Sequence, residues 1–197
     1  TGIEHFMDAT AIGSAKLEPD HYYYDAAARI IERERRNGPT FVYVYLAANH
    51  FPWDWRWRPE LTPEWKGLGN APGIDEYLRR QTLGMRNYAE FLARLKRDFP
   101  SESFLIVRYG DHQPDFSSHI LEPGIGEAAI AKRIATHDPR YFTTYYAVDA
   151  VNFKPANMAT ALQTIEGPYL PLVVLENAGL PLDPSFEEQK KIMQRCN

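Results

Sequence analysis

The sequence predicts an α/β fold in which helices pack on a mostly parallel β-sheet. Segments with helical character and segments with strand character alternate along the 197 residues, an order typical of crossover helices that connect parallel strands. Two strand segments are uninterrupted β-branched and aromatic runs, as expected for strands buried on both faces. The length and the hydrophobic fraction of 44% favour one globular domain over residues 1–197.

Several segments have the composition or the periodicity of helices. Residues 26–36 are rich in alanine, follow Asp25 and end in arginines, an order that suits the helix dipole. Residues 74–97 repeat apolar side chains at a spacing that forms one stripe. Shorter helices or amphipathic stretches are expected over residues 127–136, 155–166, 168–178 and 187–194.

Three segments predict strands. Residues 40–47 and 103–109 are the two continuous β-branched and aromatic runs, and residues 140–151 are a third candidate. Between the first two, residues 51–73 contain four tryptophans and four prolines, which favours a long loop. The predicted sheet therefore has polar segments and a tryptophan-rich loop at the ends of its strands.

Charge and cysteine content exclude some function classes. The chain has 22 Lys and Arg against 26 Asp and Glu, a net charge of −4, which argues against a nucleic-acid partner. Its single cysteine, Cys196, excludes an internal disulfide and a cysteine-built zinc site. The sequence contains no apolar run of about 18 residues that would predict a membrane span. The opening residues have no signal-peptide pattern, and the chain is interpreted as part of a longer protein.

The segment after the second predicted strand carries the most specific chemistry. Gly110, Asp111 and His112 follow a buried run, at the sheet edge where ligands bind in open α/β folds. A carboxylate oxygen and an imidazole nitrogen are suitable ligands for a divalent metal, and glycine permits a tight turn between strand and ligands. The alternative is a turn in which Asp111 caps the next segment and His112 lies at the surface.

A second histidine follows the first predicted strand. Because parallel strands end at the same edge of a sheet, Asn49 and His50 are expected near the Gly-Asp-His segment. His50 could bind an anion, protonate a leaving group or ligate a metal. The alternative is a loop histidine beside an asparagine turn.

The tryptophan-rich loop offers candidate substrate contacts. Trp53 could form part of a wall that faces a sugar or a lipid headgroup, and Arg56 could bind an anionic group. Simple packing of a long loop and ordinary surface charge are the alternatives.

Together these segments resemble the C-terminal half of the sulfatase and alkaline-phosphatase superfamily. The similarity spans residues 2–182 and is greatest to lipoteichoic-acid synthase-like phosphoglycerol transferases and phosphoethanolamine transferases. In that pattern one strand leads into a His-Pro-type segment, here residues 49–52, and a later strand leads into Gly-Asp-His, here residues 110–112. The resemblance implies an alkaline-phosphatase-like sandwich of which this chain is the C-terminal portion.

The resemblance also implies roles for individual residues. Asp111 and His112 would ligate a catalytic divalent metal (Mn, Zn, Ca or Mg), and His50 would contact the phosphate or sulfate of the substrate. In the family the nucleophile and an earlier carboxylate ligand lie upstream of the region that matches here, and no residue of this sequence has the nucleophile's context. The sequence therefore leaves open whether this chain is an enzyme by itself.

The function implied by the resemblance is hydrolysis or transfer of phosphate or sulfate esters on cell-surface glycans or lipids. The full protein would be anchored in the membrane by an N-terminal segment, with its catalytic domain in the periplasm or otherwise outside the cytoplasm. Two alternatives stay open: a non-catalytic glycan- or partner-binding module derived from the same fold, and an unrelated cytosolic metal-dependent phosphatase. An exposed strand edge in half a sheet would also permit a homo-oligomer.

Overall fold

The computed structural model describes residues 5–14 and 17–196. The chain divides into two compact units, Thr1–Phe99 and Pro100–Asn197. Each unit has its own helices and its own buried residues. The single domain expected over residues 1–197 stays a prediction.

Two helices dominate the first unit. Helix α1 covers Asp20–Glu34 and helix α2 covers Pro72–Asp98. They pack through aromatic side chains, with the ring of Tyr24 stacked on that of Phe91 at a centroid distance of 4.6 Å. Tyr88 lies beside the same ring of Tyr24 at 6.1 Å. Aromatic pairs of this kind bury large apolar areas and hold the two helices in one relative position.

A small core joins the long loop between these helices to α2. Ala48, Trp57 and Leu83 are almost fully buried against one another, with Leu17 and Leu61 packed at their edge. Since Ala48 and Trp57 lie on opposite sides of the turn that contains His50, this core fixes both ends of that turn. The tryptophan-rich loop is therefore attached to the helix at several points.

Over its described residues, 100–196, the second unit contains a two-stranded sheet, four α-helices and two short 3-10 helices, at Pro139–Tyr141 and Gly167–Tyr169. Strand β1, Phe104–Tyr109, pairs antiparallel with strand β2, Tyr146–Val151. Between the strands lie the short helices α3 and α4, at Ser117–Leu121 and Glu127–Ala135. Helices α5 and α6 follow at Leu170–Ala178 and Pro184–Cys196. Leu172, Val173 and Met193 are the most buried apolar side chains of these two helices.

The predicted fold class is wrong. The structure is 46% helical, and its described residues contain one two-stranded antiparallel sheet in place of a mostly parallel, sandwich-like one. The two runs expected to be parallel neighbours lie in different units: residues 40–47 in the first and β1 in the second. β1 pairs instead with β2, which belongs to its own unit.

Residues 40–47 form no regular secondary structure, and no strand pairs with them in the described part of the chain. Phe41, Tyr43 and Tyr45 are exposed there. β-propensity describes a side chain that fits a pleated, half-buried surface, so without a neighbouring strand it does not produce a sheet. The helix expected over residues 155–166 is also wrong, because that segment is irregular.

The other expected elements are confirmed, with shifted ends. α1 starts at Asp20, before the predicted alanine-rich segment, and α2 extends one or two residues beyond its predicted bounds at each end. The third candidate strand shortens to β2, whose direction is the reverse of the one expected. Among the described residues, no helix combines the length and the apolar character needed to cross a membrane.

Candidate functional site

The turn after β1 is shaped by a close approach of two segments. The N–H of Gly110 donates a hydrogen bond of 3.0 Å to the carbonyl of Tyr145, which continues the β1–β2 pairing by one residue. A Cβ on Gly110 would collide with Oγ1 of Thr144. Only a residue without a side chain fits this position without displacing Thr144. Packing against Thr144 therefore favours glycine at this position, where the sequence had suggested only a tight turn.

Asp111 and His112 lie side by side immediately after this glycine, and both side chains are exposed. Nδ1 of His112 is 2.8 Å from the carbonyl oxygen of Gln113. Since a carbonyl oxygen can only accept, Nδ1 carries the proton, and in the neutral ring Nε2 has a free lone pair. Nε2 is 3.7 Å from Oδ2 of Asp111. Two potential metal ligands therefore converge on one point at the surface.

The side chain of Gln113 anchors this segment. Its Nε2 donates to the carbonyl oxygens of Arg140, at 2.8 Å, and Thr143, at 2.5 Å. Because the carbonyl of Gln113 holds the imidazole of His112, these two bonds also fix the orientation of that ring. Outer hydrogen bonds of this kind commonly set the tautomer of a metal-ligating histidine.

His50 has a similar local arrangement in the first unit. Its Nδ1 is 2.8 Å from the carbonyl oxygen of the next residue, Phe51, and its ring is exposed. The two rings lie 4.2 Å apart, and the Phe51–Pro52 peptide bond is cis. As with His112, the bond to a carbonyl places the proton on Nδ1 and leaves Nε2 of the neutral ring available.

Arg80 fixes the backbone of the turn that carries His50, a role that sequence reasoning missed. Its guanidinium is buried and donates to the carbonyl oxygens of His50 and Pro52, each at 3.0 Å, and of Trp55, at 3.3 Å. Its Nε donates to Glu76 at 2.6 Å. One helix side chain thus satisfies three loop carbonyls that would otherwise lack a partner.

Arg79, the neighbour of Arg80, holds the following part of the loop. It is 1% exposed and donates to the carbonyl of Trp57 and to Oγ1 of Thr62, the latter at 2.6 Å. Glu76 accepts from both arginines and from the N–H of Trp57. Burial alone would raise the pKa of Glu76, but these hydrogen bonds outweigh it and hold the pKa below its ordinary value. The carboxylate therefore stays ionised between two guanidinium groups.

The other predicted substrate contacts, Asn49, Trp53 and Arg56, also lie in the first unit. The surroundings of their three side chains differ from one another. The indole N–H of Trp53 donates to the carbonyl of Asn49 at 3.1 Å, so Trp53 closes this turn. Oδ1 of Asn49 is buried and has no hydrogen-bond partner among the described residues. Arg56 is exposed, and its Nη2 lies 3.4 Å from the carbonyls of Thr62 and Trp65.

The predicted meeting of the two histidines at one sheet edge depended on the parallel sheet, which does not form. His50 belongs to the first unit, and Asp111 and His112 belong to the second. Within residues 5–14 and 17–196, no group of three or more His, Cys, Asp or Glu side chains could hold a metal ion. The adjacent Asp111–His112 pair is the arrangement that the sequence predicted and that the structure retains as local geometry.

Comparison of the chain with family models, with curated proteins and with solved structures found no match.

Proposed function

We propose that this chain acts on phosphate or sulfate esters and that Asp111 and His112 are two ligands of the divalent metal that this chemistry uses. The observation that carries the proposal is the geometry of the pair. Nε2 of His112 and Oδ2 of Asp111 are 3.7 Å apart and exposed. With bonds of about 2.1 Å, two ligands of a tetrahedral zinc ion are about 3.4 Å apart, so the pair is close to the separation of two metal ligands.

The residues around the pair also suit metal binding. Donation from Nδ1 of His112 to the Gln113 carbonyl selects the tautomer whose Nε2 can bind a metal. The N–H of His112 donates to Oδ1 of Asp111 at 3.0 Å. The other carboxylate oxygen, Oδ2, is the one that lies near Nε2 of His112 and is available to a metal. When bound, a divalent metal polarises a phosphoryl or sulfuryl oxygen and stabilises the charge that develops on it.

We propose a separate anion contact for His50, which belongs to the first unit and is not part of the Asp111–His112 pair. Its free Nε2 can donate to an ester oxygen when the ring is protonated, and the same nitrogen can accept a proton when the ring is neutral. Arg80 supports this role, because it holds the His50 carbonyl and thereby the base of the side chain. Two protein ligands make a weak metal site, since zinc sites commonly use three or four. The proposal therefore expects weak metal affinity in this chain.

Calorimetric titration with Mn²⁺, Zn²⁺ and Ca²⁺ tests the metal pair. We expect one site per chain for at least one of these ions, lost in Asp111→Asn and in His112→Ala. His119→Ala is the matched control, because His119 is also exposed and lies in the same unit, and it should bind as the wild type does. Binding that survives both changes, or no binding by the wild type, would contradict the proposal.

The ester part is tested on the metal-loaded chain with inorganic phosphate and inorganic sulfate. Each anion should bind more tightly with the metal present than after chelation, and Asp111→Asn should remove this difference. His50→Ala should weaken only the binding that remains after chelation. Anion affinity that is the same with and without metal would remove the support for ester chemistry. The relative affinity for the two anions then distinguishes phosphate from sulfate specificity.

A further inference from the structure

A cleft of about 240 Å³ lies in the first unit, between the loop held by Arg79 and the start of α2. We call it the tryptophan cleft. Its walls come from the loop and from the first turns of α2: Trp53, Asp54, Trp55, Arg56, Trp65, Gly67, Pro72, Asp75, Glu76 and Arg79. Three of the four tryptophans of the chain therefore line one concave surface.

The three indoles have different surroundings. Trp53 is fixed, because its N–H donates to the Asn49 carbonyl and its ring meets the edge of Tyr77 at 5.5 Å. Trp55 is 52% exposed and Trp65 is half-buried. In the part of the chain that the structure describes, no hydrogen bond engages the indole N–H of either Trp55 or Trp65. Both therefore offer a flat apolar face and a donor to a ligand.

Buried and hydrogen-bonded groups form the base of the cleft. Glu76 and Arg79 form an ion pair of 2.7 Å there, and both are nearly inaccessible to solvent. On another wall, Asp75 accepts from the backbone N–H groups of Leu68 and Gly69 at 2.9 and 3.2 Å. These bonds hold the segment around Gly67 against the start of α2. The cleft is thus formed before any ligand arrives, which lowers the entropic cost of binding.

The charges around the cleft indicate what it can bind. Its lining has three carboxylates against two guanidinium groups, so it does not favour an anion. It does not favour an organic cation either, because Arg56 lines it and the Arg80 guanidinium already lies 5.6 Å from the Trp55 ring. A neutral ligand with one apolar face and several hydroxyl groups is repelled by neither sign of charge, and it can lie on the exposed part of the Trp55 ring that Arg80 does not cover.

We propose that the tryptophan cleft binds a neutral pyranose sugar. The C–H face of the ring would lie on the indole of Trp55, and its hydroxyl groups would donate to Asp54 and accept from Arg56. Asp54 is exposed and lines the cleft, one residue before Trp55 and two before Arg56. The proposal goes beyond the proposed ester chemistry and does not depend on the Asp111–His112 pair.

Calorimetry and saturation-transfer NMR test the proposal with methyl glucoside, methyl galactoside, methyl mannoside and N-acetylglucosamine. We expect saturable binding of at least one sugar to the wild type. Trp55→Ala should weaken it by about tenfold or more, since it removes the stacking face. Tyr45→Ala is the matched control, because Tyr45 is exposed to a similar extent and lies outside the cleft; it should leave affinity unchanged.

Other ligands and variants separate this proposal from its alternatives. Asp111→Asn and a chelator should leave sugar binding intact, so failure of the metal proposal would not affect it. The Trp55→Ala variant must first have a melting temperature within a few degrees of the wild type. If it does not, Trp55→Phe, which keeps an aromatic face, is used instead. We expect Trp55→Phe to bind the sugar with intermediate affinity. The proposal is overturned if no sugar binds, if the Trp55 variants bind as the wild type does, or if only sodium phosphate or tetramethylammonium chloride binds.

Discussion

The guanidinium of Arg80 donates a 3.0 Å hydrogen bond to the carbonyl oxygen of His50. A buried side chain of α2 therefore determines the backbone position of an exposed candidate site residue 30 positions earlier in the chain. The same guanidinium also bonds Pro52, Trp55 and Glu76, so one residue connects the helix, the turn and the edge of the tryptophan cleft.

Arg80→Lys should destabilise the protein by about 2–3 kcal/mol. Lysine keeps the positive charge beside Glu76, but its single ammonium group cannot reach three carbonyls, and buried acceptors left without a donor are costly. The free energy of unfolding is measured by urea denaturation at constant m-value. Arg97→Lys is the matched control, because Arg97 is exposed and its ion pair is with the adjacent Asp98, and it should change stability by less than about 0.5 kcal/mol. If the two variants were equally stable, the hydrogen bonds from Arg80 to the three loop carbonyls would not stabilise the fold.

The sequence predicted α2 well because local periodicity determines which face of a helix is buried. The apolar stripe expected over residues 74–97 comprises Leu78, Leu83, Tyr88, Phe91, Leu92 and Leu95. Four of these six are buried, and Leu78 and Leu92 are half-buried. Arg79 and Arg80 were not predicted to be buried, because arginine is rarely inside a protein unless it is paired. Glu76 could have indicated their burial, because it lies three residues before Arg79 and four before Arg80. On a helix this spacing places its carboxylate beside both guanidinium groups.

The strands show the limit of the same reasoning. Residues 40–47 and β1 have similar composition, but among the described residues only β1 pairs with another strand. Partner choice depends on contacts distant in sequence, which composition does not encode. For the same reason the adjacent pair Asp111–His112 could be predicted from its spacing alone, whereas its predicted proximity to His50 required a long-range topology that the structure does not have.

Asp20 should make the stability of the protein depend on pH. Its carboxyl is buried at the start of α1, and burial raises its pKa from 3.8 to about 6, although the N–H of Ala48 and the neighbouring His21 act in the opposite direction. The folded state therefore binds the proton more tightly than the unfolded state. This contribution is complete below about pH 4 and is lost as the pH rises through about 6. At about pH 8 the ionised carboxylate should cost about 3 kcal/mol.

Asp20→Asn tests this pH dependence. Asparagine keeps an oxygen that can accept from Ala48 and cannot ionise, so the variant should be more stable than the wild type at about pH 8 and nearly equal to it at about pH 4. Urea unfolding across this range gives the difference in free energy. Asp54→Asn, at an exposed carboxylate, should show no such trend. A constant difference between Asp20→Asn and the wild type across the pH range would contradict the assignment.

Gly84→Ala should destabilise the protein, although alanine normally stabilises the interior of a helix by about 0.5–1 kcal/mol. A Cβ at position 84 of α2 would lie 2.7 Å from Oδ2 of Asp20. The Asp20 side chain is buried and cannot move without breaking its hydrogen bond with the backbone N–H of Ala48. We expect a net loss of about 1–2 kcal/mol. In an Asp20→Ala background the same change should be stabilising, and Gly73→Ala, which would make only an ordinary 3.7 Å contact, should be neutral or slightly stabilising. Stabilisation by Gly84→Ala in both backgrounds would show that the two helices do not approach this closely.

Gly110→Ala should damage the candidate metal pair through packing. The added methyl group would collide with Oγ1 of Thr144, so either Thr144 moves or the hydrogen bond from the Gly110 N–H to Tyr145 breaks. We expect a loss of about 1–3 kcal/mol in the free energy of unfolding and a displacement of Asp111, visible as a change in its backbone amide resonance. Thr144→Ala removes the colliding oxygen, so the double variant should recover most of the loss relative to Thr144→Ala alone. A loss of the same size in both backgrounds would mean that Thr144 is not what requires glycine at this position, and that backbone conformation alone shapes the turn before the pair.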